Sequence, residues 1–247
     1  MEWSQYDRQI LPIVLFCIIF VSLALGLALR RYSKRVRGIP TAVIAVFLLF
    51  IEVIKQRWNV LGDFDPFLLP FHYCSLFIPV FLLAELCGER LSRIFRPIGT
   101  CMAFIVTVAM YVSPTGILGS ASEYFGETFK ATHTFLMHHS VVLYLLLVIA
   151  LGLYRPRWRD PLFVGALGIV YVAAAIPLSY RLNANYCNFL ESVIPFMESF
   201  RLAAGQTAYT VLMIVFLTFG TAFGALLYLF LYKAVAFLLA AMRRGKK

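Results

Sequence analysis

Charge is scarce in this 247-residue chain: Asp, Glu, Lys and Arg make up 14% of it and hydrophobic residues 62%, where soluble domains carry about a quarter and about half. With a mean hydropathy of +0.84, a water-soluble globular enzyme is excluded. Cysteine is also sparse. There are five, an odd number, and four sit inside apolar runs, which argues against the disulfide framework of a small secreted domain. The N-terminus lacks a cationic leader region, since Met1–Asp7 carries Glu2 and Asp7 and ends at Arg8; Ile10–Leu29 therefore reads as a retained helix. No segment alternates with the period of a barrel strand, and no internal repeat or low-complexity tract occurs, so residues 1–247 read as a single domain. The net charge of +10 is not gathered into a basic stripe with interleaved aromatics, which removes nucleic acid as a partner.

What the chain has in abundance is apolar runs of bilayer length. They fall at Ile10–Leu29, Thr41–Trp58, Pro66–Cys87, Ile94–Val112, Thr132–Leu153, Pro161–Tyr180 and Thr207–Met242, each bounded by charge, Pro or Gly. In lipid only a structure that pairs every backbone group internally can span, so the expected class is all-α, a polytopic bundle of seven transmembrane helices. Positive residues set its direction. Sixteen of the 22 Lys and Arg lie on one set of connections (Arg30–Arg37, Arg90–Arg96, Arg155–Arg159 and Lys233–Lys247), and six lie on the other: Arg8, Lys55, Arg57, Lys130, Arg181 and Arg201. Retention of positive charge in the cytoplasm then predicts an outer N-terminus and a cytoplasmic C-terminus.

The polar side chains gather near the outer ends of the helices. His72 lies roughly 9 Å past Pro66, His139 roughly 10 Å past Thr132, and Glu52 roughly 9 Å before Trp58, at about 1.5 Å per residue. Matching depth on three helices predicts a shared, water-reachable cavity, because ionisable groups are costly singly in lipid. Tyr111, Arg181, Asn183, Asn185, Tyr186 and Arg201 border the same level as candidate substrate contacts. Glu52 also has a simpler role open to it, pairing with Lys55 and Gln56 at i+3 and i+4. His133, His138 and His139 point in three directions on one helix, and the H-E-x-x-H spacing is absent, so no metal site and no cofactor are expected. Cys74 follows His72 by two residues, which on a helix sets them about 200° apart and directs attention to the fifth-helix histidines as its base. Cys17, Cys87 and Cys101 have no polar company and read as packing residues; Cys187 lies in an outer loop beside Asn185 and Tyr186.

Three short motifs carry a resemblance. Leu69-Pro70-Phe71-His72-Tyr73-Cys74 resembles the L-P-x-H-x-C segment of the YwaF-like family of bacterial integral membrane proteins. Phe135-Leu136-Met137-His138-His139-Ser140 resembles that family's aromatic stretch, His and small residue, with His139 as the counterpart. Asn183-Ala184-Asn185-Tyr186 resembles its Asn-x-Asn-Tyr segment, continuing into Cys187-Asn188 in place of Lys-Pro. The family has an animal relative that moves acyl chains between phospholipids. The resemblance thus implies a phospholipid acyltransferase of the bacterial cytoplasmic membrane, acting near the outer leaflet. In that reading Cys74 is the acyl acceptor, His139 the general base and His72 an orienting group. Glu52, His138, Tyr111, Asn183, Asn185 and Tyr186 would contact a lipid substrate, with Arg181 and Arg201 holding phosphate. The competing expectation is a transporter or ligand sensor that uses Glu52 and the histidines to bind a solute.

Overall fold

The structure is a computed structural model and describes residues 3–192 and 194–244. Glu2, Lys246 and Lys247, which enter the charge count above, lie outside the described residues. The helices follow the apolar runs, and capping side chains start three of them. Helix α1 (Gln5–Leu29) starts five residues before the first apolar run because Ser4 and Asp7 form a capping box: the Ser4 hydroxyl accepts from the Asp7 amide at 3.0 Å and the Asp7 carboxylate accepts from the Ser4 amide at 3.0 Å. A short turn, α2 (Lys34–Arg37), leads into α3 (Ile39–Leu61), with Pro in its first turn, where the missing amide hydrogen costs nothing. Then follow α4 (Phe77–Glu85), α5 (Gly88–Val112), α6 (Pro114–Leu118), α7 (Phe129–Ala150) and α8 (Asp160–Leu182). The chain ends in α9 (Pro195–Val215), one π turn (Phe216–Gly220) and α10 (Thr221–Arg244). Seven of these segments are long and apolar enough to cross a bilayer, and no strand occurs among the described residues.

Two segments differ from the expected pattern. The third span is helical only from Phe77; Pro66–Leu76 forms two 3-10 turns joined by extended backbone. The last span reaches back to Pro195 but breaks at Gly205, whose φ of 86° leaves the helical region at no cost only because glycine lacks Cβ.

Packing puts α7 at the centre. Within its span 61% of residues are buried, against 22% for α1, and α7 lies against α1, α3 and α5. Helix α5 in turn packs on α4, α8 and α10. Gly99 on α5 makes the α4 contact possible: a Cβ there would lie 2.9 Å from Phe81, whose own ring stacks on Tyr144 at 3.6 Å between centroids. In lipid, where burial of apolar surface gives helices no reason to associate, such close approach and buried polar contacts hold a bundle together.

The main polar contact is Glu85. Its carboxylate accepts from Arg96 Nε at 3.0 Å and Nη2 at 2.8 Å, from Tyr144 Oη at 2.7 Å and from Thr41 Oγ1 at 2.8 Å. One side chain thereby joins α3, α4, α5 and α7.

Candidate functional site

At the end of the bundle where α3 finishes and α7 begins, a cavity of about 460 Å³ opens between the helices. Its walls are best understood from the broken third span. Backbone that leaves the helix at membrane depth exposes carbonyl oxygens that lipid cannot satisfy. Here side chains from three directions cap them. Pro66 O accepts from Tyr186 Oη, Phe67 O from His72 at 2.8 Å, Leu68 O from Gln56 Nε2 at 2.8 Å and Phe71 O from Tyr171 Oη at 2.8 Å. Asn59 on α3 closes the start of the segment, donating to Asp65 O at 3.1 Å and accepting from its amide at 2.9 Å. The irregular stretch is therefore a built feature, and it presents His72, Tyr73, Cys74 and Ser75 to the cavity.

This geometry corrects one step of the sequence reading. His72 and Cys74 do not share an α-helix: His72 is extended (φ −72°, ψ 151°) and Cys74 sits in the following 3-10 turn, so the 200° offset does not apply. Both line the same cavity. The turn runs directly into α4, so the thiol stands at the N-terminal end of a helix, where partial positive charge favours an anion.

Helix α7 supplies the opposite wall through Phe129, Lys130, His133, Thr134, Met137 and His138. At about 100° per residue, Lys130 through His138 in that set fall within an arc of about 140°, and His139 lies about 100° beyond its edge. His139 accordingly lines no part of the cavity; its ring rests on Phe135 with centroids 4.0 Å apart, and its Nε2 is buried without a partner. Rotation turns His139 away from the cavity, and His138 lines it instead.

Tautomers follow from the carbonyls, which can only accept. Nδ1 of His138 is 2.8 Å from Thr134 O and so carries the proton, leaving Nε2 bare. His72 is the reverse: Nε2 donates to Phe67 O and Nδ1 is bare. The His72 ring is held edge-on by Phe67 and Tyr186, with centroids 4.5 and 5.2 Å away.

Glu52 does not line the cavity. Its Oε1 is 2.7 Å from Lys55 Nζ and accepts from Gln56 Nε2 at 2.7 Å, while Oε2 is 3.3 Å from His133 Nε2. The simpler role for Glu52 thus holds in the structure, and Lys55 is the member of the pair that faces the cavity. Lys130 joins it, its ammonium 5.5 Å above the Phe67 ring. These two are the cations at the site, and sequence reasoning passed over both. The signal was present in Lys130, His133, Thr134, Met137 and His138, spaced i, i+3, i+4, i+7 and i+8.

The remaining candidates are placed elsewhere or serve the scaffold. Arg201 is committed to Glu198, with Nε 2.9 and 3.1 Å from its two oxygens, and Arg181 is exposed; neither lines the cavity, so the expected phosphate contacts from this pair do not form there. Asn183 caps α8 with left-handed backbone. Tyr111 Oη is buried without a partner, away from the cavity. Asn185 lines the cavity but spends its amide on the backbone of Leu190 and Glu191. Cys187 also lines it, and its sulfur accepts from the Tyr73 amide at 3.1 Å and lies 2.8 Å from Tyr171 Oη. Burial pushes that thiol up to about 12, which leaves it protonated and a poor nucleophile. All five cysteines are unpaired, and among the described residues no group of three His, Cys, Asp or Glu could hold a metal ion.

No curated protein and no solved structure matches the chain. Residues 3–228 match the TMEM164 family, a membrane family, which agrees with seven bilayer-length helices. The chain belongs to the TMEM164 family, as an integral membrane protein with a thiol and histidines gathered around a cavity at one end of its bundle.

Proposed function

We propose that the protein is a phospholipid acyltransferase of a bacterial cytoplasmic membrane, with this cavity toward the outer leaflet. The single observation that carries the reading is the shared cavity of Cys74, His138 and His72, walled by apolar side chains and edged by Lys55 and Lys130. That arrangement suits an acyl ester in apolar surroundings with its phosphate beside a cation. The resemblance of the His72, His139 and Asn185 motifs to the YwaF-like family, and through it to an animal acyltransferase, supports the same chemistry.

In this mechanism Nε2 of His138 takes the proton from Cys74, and the thiolate attacks the ester carbonyl. The helix end behind Cys74 favours the oxyanion. The ester C–O bond breaks, the leaving alkoxide collects the proton from the imidazolium, and a lysophospholipid departs from a thioester. His138 then deprotonates the hydroxyl of an acceptor lysolipid, which attacks the thioester; the C–S bond breaks and the proton returns to sulfur. His72 orients the acceptor lysolipid, whose hydroxyl donates to its bare Nδ1. Transport is less supported, because Glu52 is occupied by Lys55 and Gln56 and Phe77, Phe81 and Val141 belong to a closely packed apolar core.

The test uses full-length protein in nanodiscs with a fluorescent-acyl phospholipid and a lysophospholipid acceptor. Cys74→Ala and His138→Ala should each reduce transfer by about 10²–10⁴-fold, the range of general acid–base and nucleophile losses, while His139→Ala retains it. Intact mass should show one acyl group on the wild-type protein, absent from Cys74→Ala. Full activity in Cys74→Ala with no acyl-protein adduct would refute the covalent route.

A further inference from the structure

A second cavity, of about 1000 Å³, lies at the opposite end of the bundle and shares no residue with the first. Six cations line it, Lys34, Arg35, Arg93, Arg96, Arg155 and Arg157, against three carboxylates, Glu85, Glu89 and Asp160. Positive charge at one end of a membrane bundle is ordinary, since it sets topology. The distinguishing point is what the carboxylates are doing. Glu85 is saturated by Arg96, Tyr144 and Thr41. Asp160 accepts from Tyr154 Oη and from the Arg157 backbone amide, and Glu89 pairs with Arg93 at 3.1 Å. No described carboxylate remains within ion-pair distance of Lys34, Arg35, Arg155 or Arg157.

The backbone that carries two of these cations is tied down. The connection from α7 to α8 that carries Arg155 and Arg157 is anchored at its start by Arg37, whose Nη1 donates to Leu151 O at 2.8 Å, and at its end by the Asp160 contacts. A concave surface that presents unpaired guanidinium groups suits a phosphate group, which accepts bidentate hydrogen bonds. Basic pockets between transmembrane helices bind anionic headgroups on this principle.

We propose that this cavity is a binding site for a phosphate group, presented by an anionic lipid headgroup or by a soluble phosphate ester. The site is independent of acyl transfer at the other end, and its test does not read activity. Full-length protein in detergent micelles is titrated with dioctanoyl phosphatidic acid, with dioctanoyl phosphatidylcholine and with inorganic phosphate, and binding is followed by thermophoresis. Saturable binding of phosphatidic acid over phosphatidylcholine is expected, weakening about tenfold in each of Arg155→Gln and Arg157→Gln, the worth of one charge-assisted hydrogen bond. Competition by inorganic phosphate only at far higher concentration identifies the lipid as the source. Equal affinity for inorganic phosphate with the same sensitivity to both variants identifies a soluble ester. These side chains are exposed, so the variants should retain the wild-type melting temperature. Absence of saturable binding by either anion, or binding unchanged in the double variant, would overturn the proposal.

Discussion

Removing the Glu85 carboxylate should destabilise the bundle more than any single apolar truncation of similar size. Glu85→Ala takes four hydrogen bonds from one buried position, and the side chain it leaves behind is a guanidinium only 13% exposed. Breaking a buried pair from one side costs about 3–5 kcal/mol because the surviving charge has no partner. For a chain of this length each kcal/mol moves the melting temperature by about 2–4 °C, so a drop of about 6–20 °C is expected. Differential scanning fluorimetry in nanodiscs would measure it, with size-exclusion elution as the check on assembly. The source of the penalty can be isolated by Glu85→Leu/Arg96→Met. With neither charge present, that double variant should melt above Glu85→Ala, since replacing both partners with apolar groups avoids the stranded cation. A shift under about 2 °C for Glu85→Ala, or a double variant as unstable as the two single losses added, would show that the network does not hold the four helices together.

Two further outcomes are expected. With the native cysteines removed, a cysteine placed at Gly126 should react with an impermeant thiol reagent in intact cells, because the connections that carry only six of the 22 Lys and Arg are read as external; labelling only after permeabilisation would reverse the topology. In a variant that keeps Cys187 alone, alkylation by iodoacetamide should rise about tenfold per pH unit up to at least pH 10, because thiolate is the reactive form; the thiol is pushed up to about 12, so a plateau near pH 9 would contradict its burial among the Tyr73 amide and Tyr171 hydroxyl.

The fold was legible because the bilayer imposes a crude requirement that composition satisfies openly. Each of the seven apolar runs coincides with a bilayer-length segment, and the mismatches at their ends have local causes. Ser4-Gln5-Tyr6-Asp7 announces an N-cap ahead of the hydrophobic stretch, and Gly88 starts α5 before Ile94 because Glu89, Arg90 and Arg93 are tolerated on exposed turns at the membrane surface. Glu85 lies inside the Pro66–Cys87 run with nothing in the sequence to mark its role. Its partners Thr41, Arg96 and Tyr144 are distant in sequence, and nothing in the spacing of any one helix announces a bond to another.

The site failed at a specific step, the assumption that Pro66–Cys87 is a helix throughout. Hydropathy reports whether a segment can lie in lipid, and it is blind to whether the backbone inside that segment is helical. The decisive information is instead in the residues that cap the broken stretch. Gln56, Asn59, Tyr171 and Tyr186 each spend a side chain on one of its backbone groups, and polar side chains aimed at membrane depth from three other segments are hard to explain if a continuous helix satisfies its own carbonyls. Departures from regular backbone that neighbours pay to maintain concentrate where a fold does chemistry. The same logic places Cys74: the 3-10 turn that follows His72 sets it on the lining of a cavity that His138 also lines.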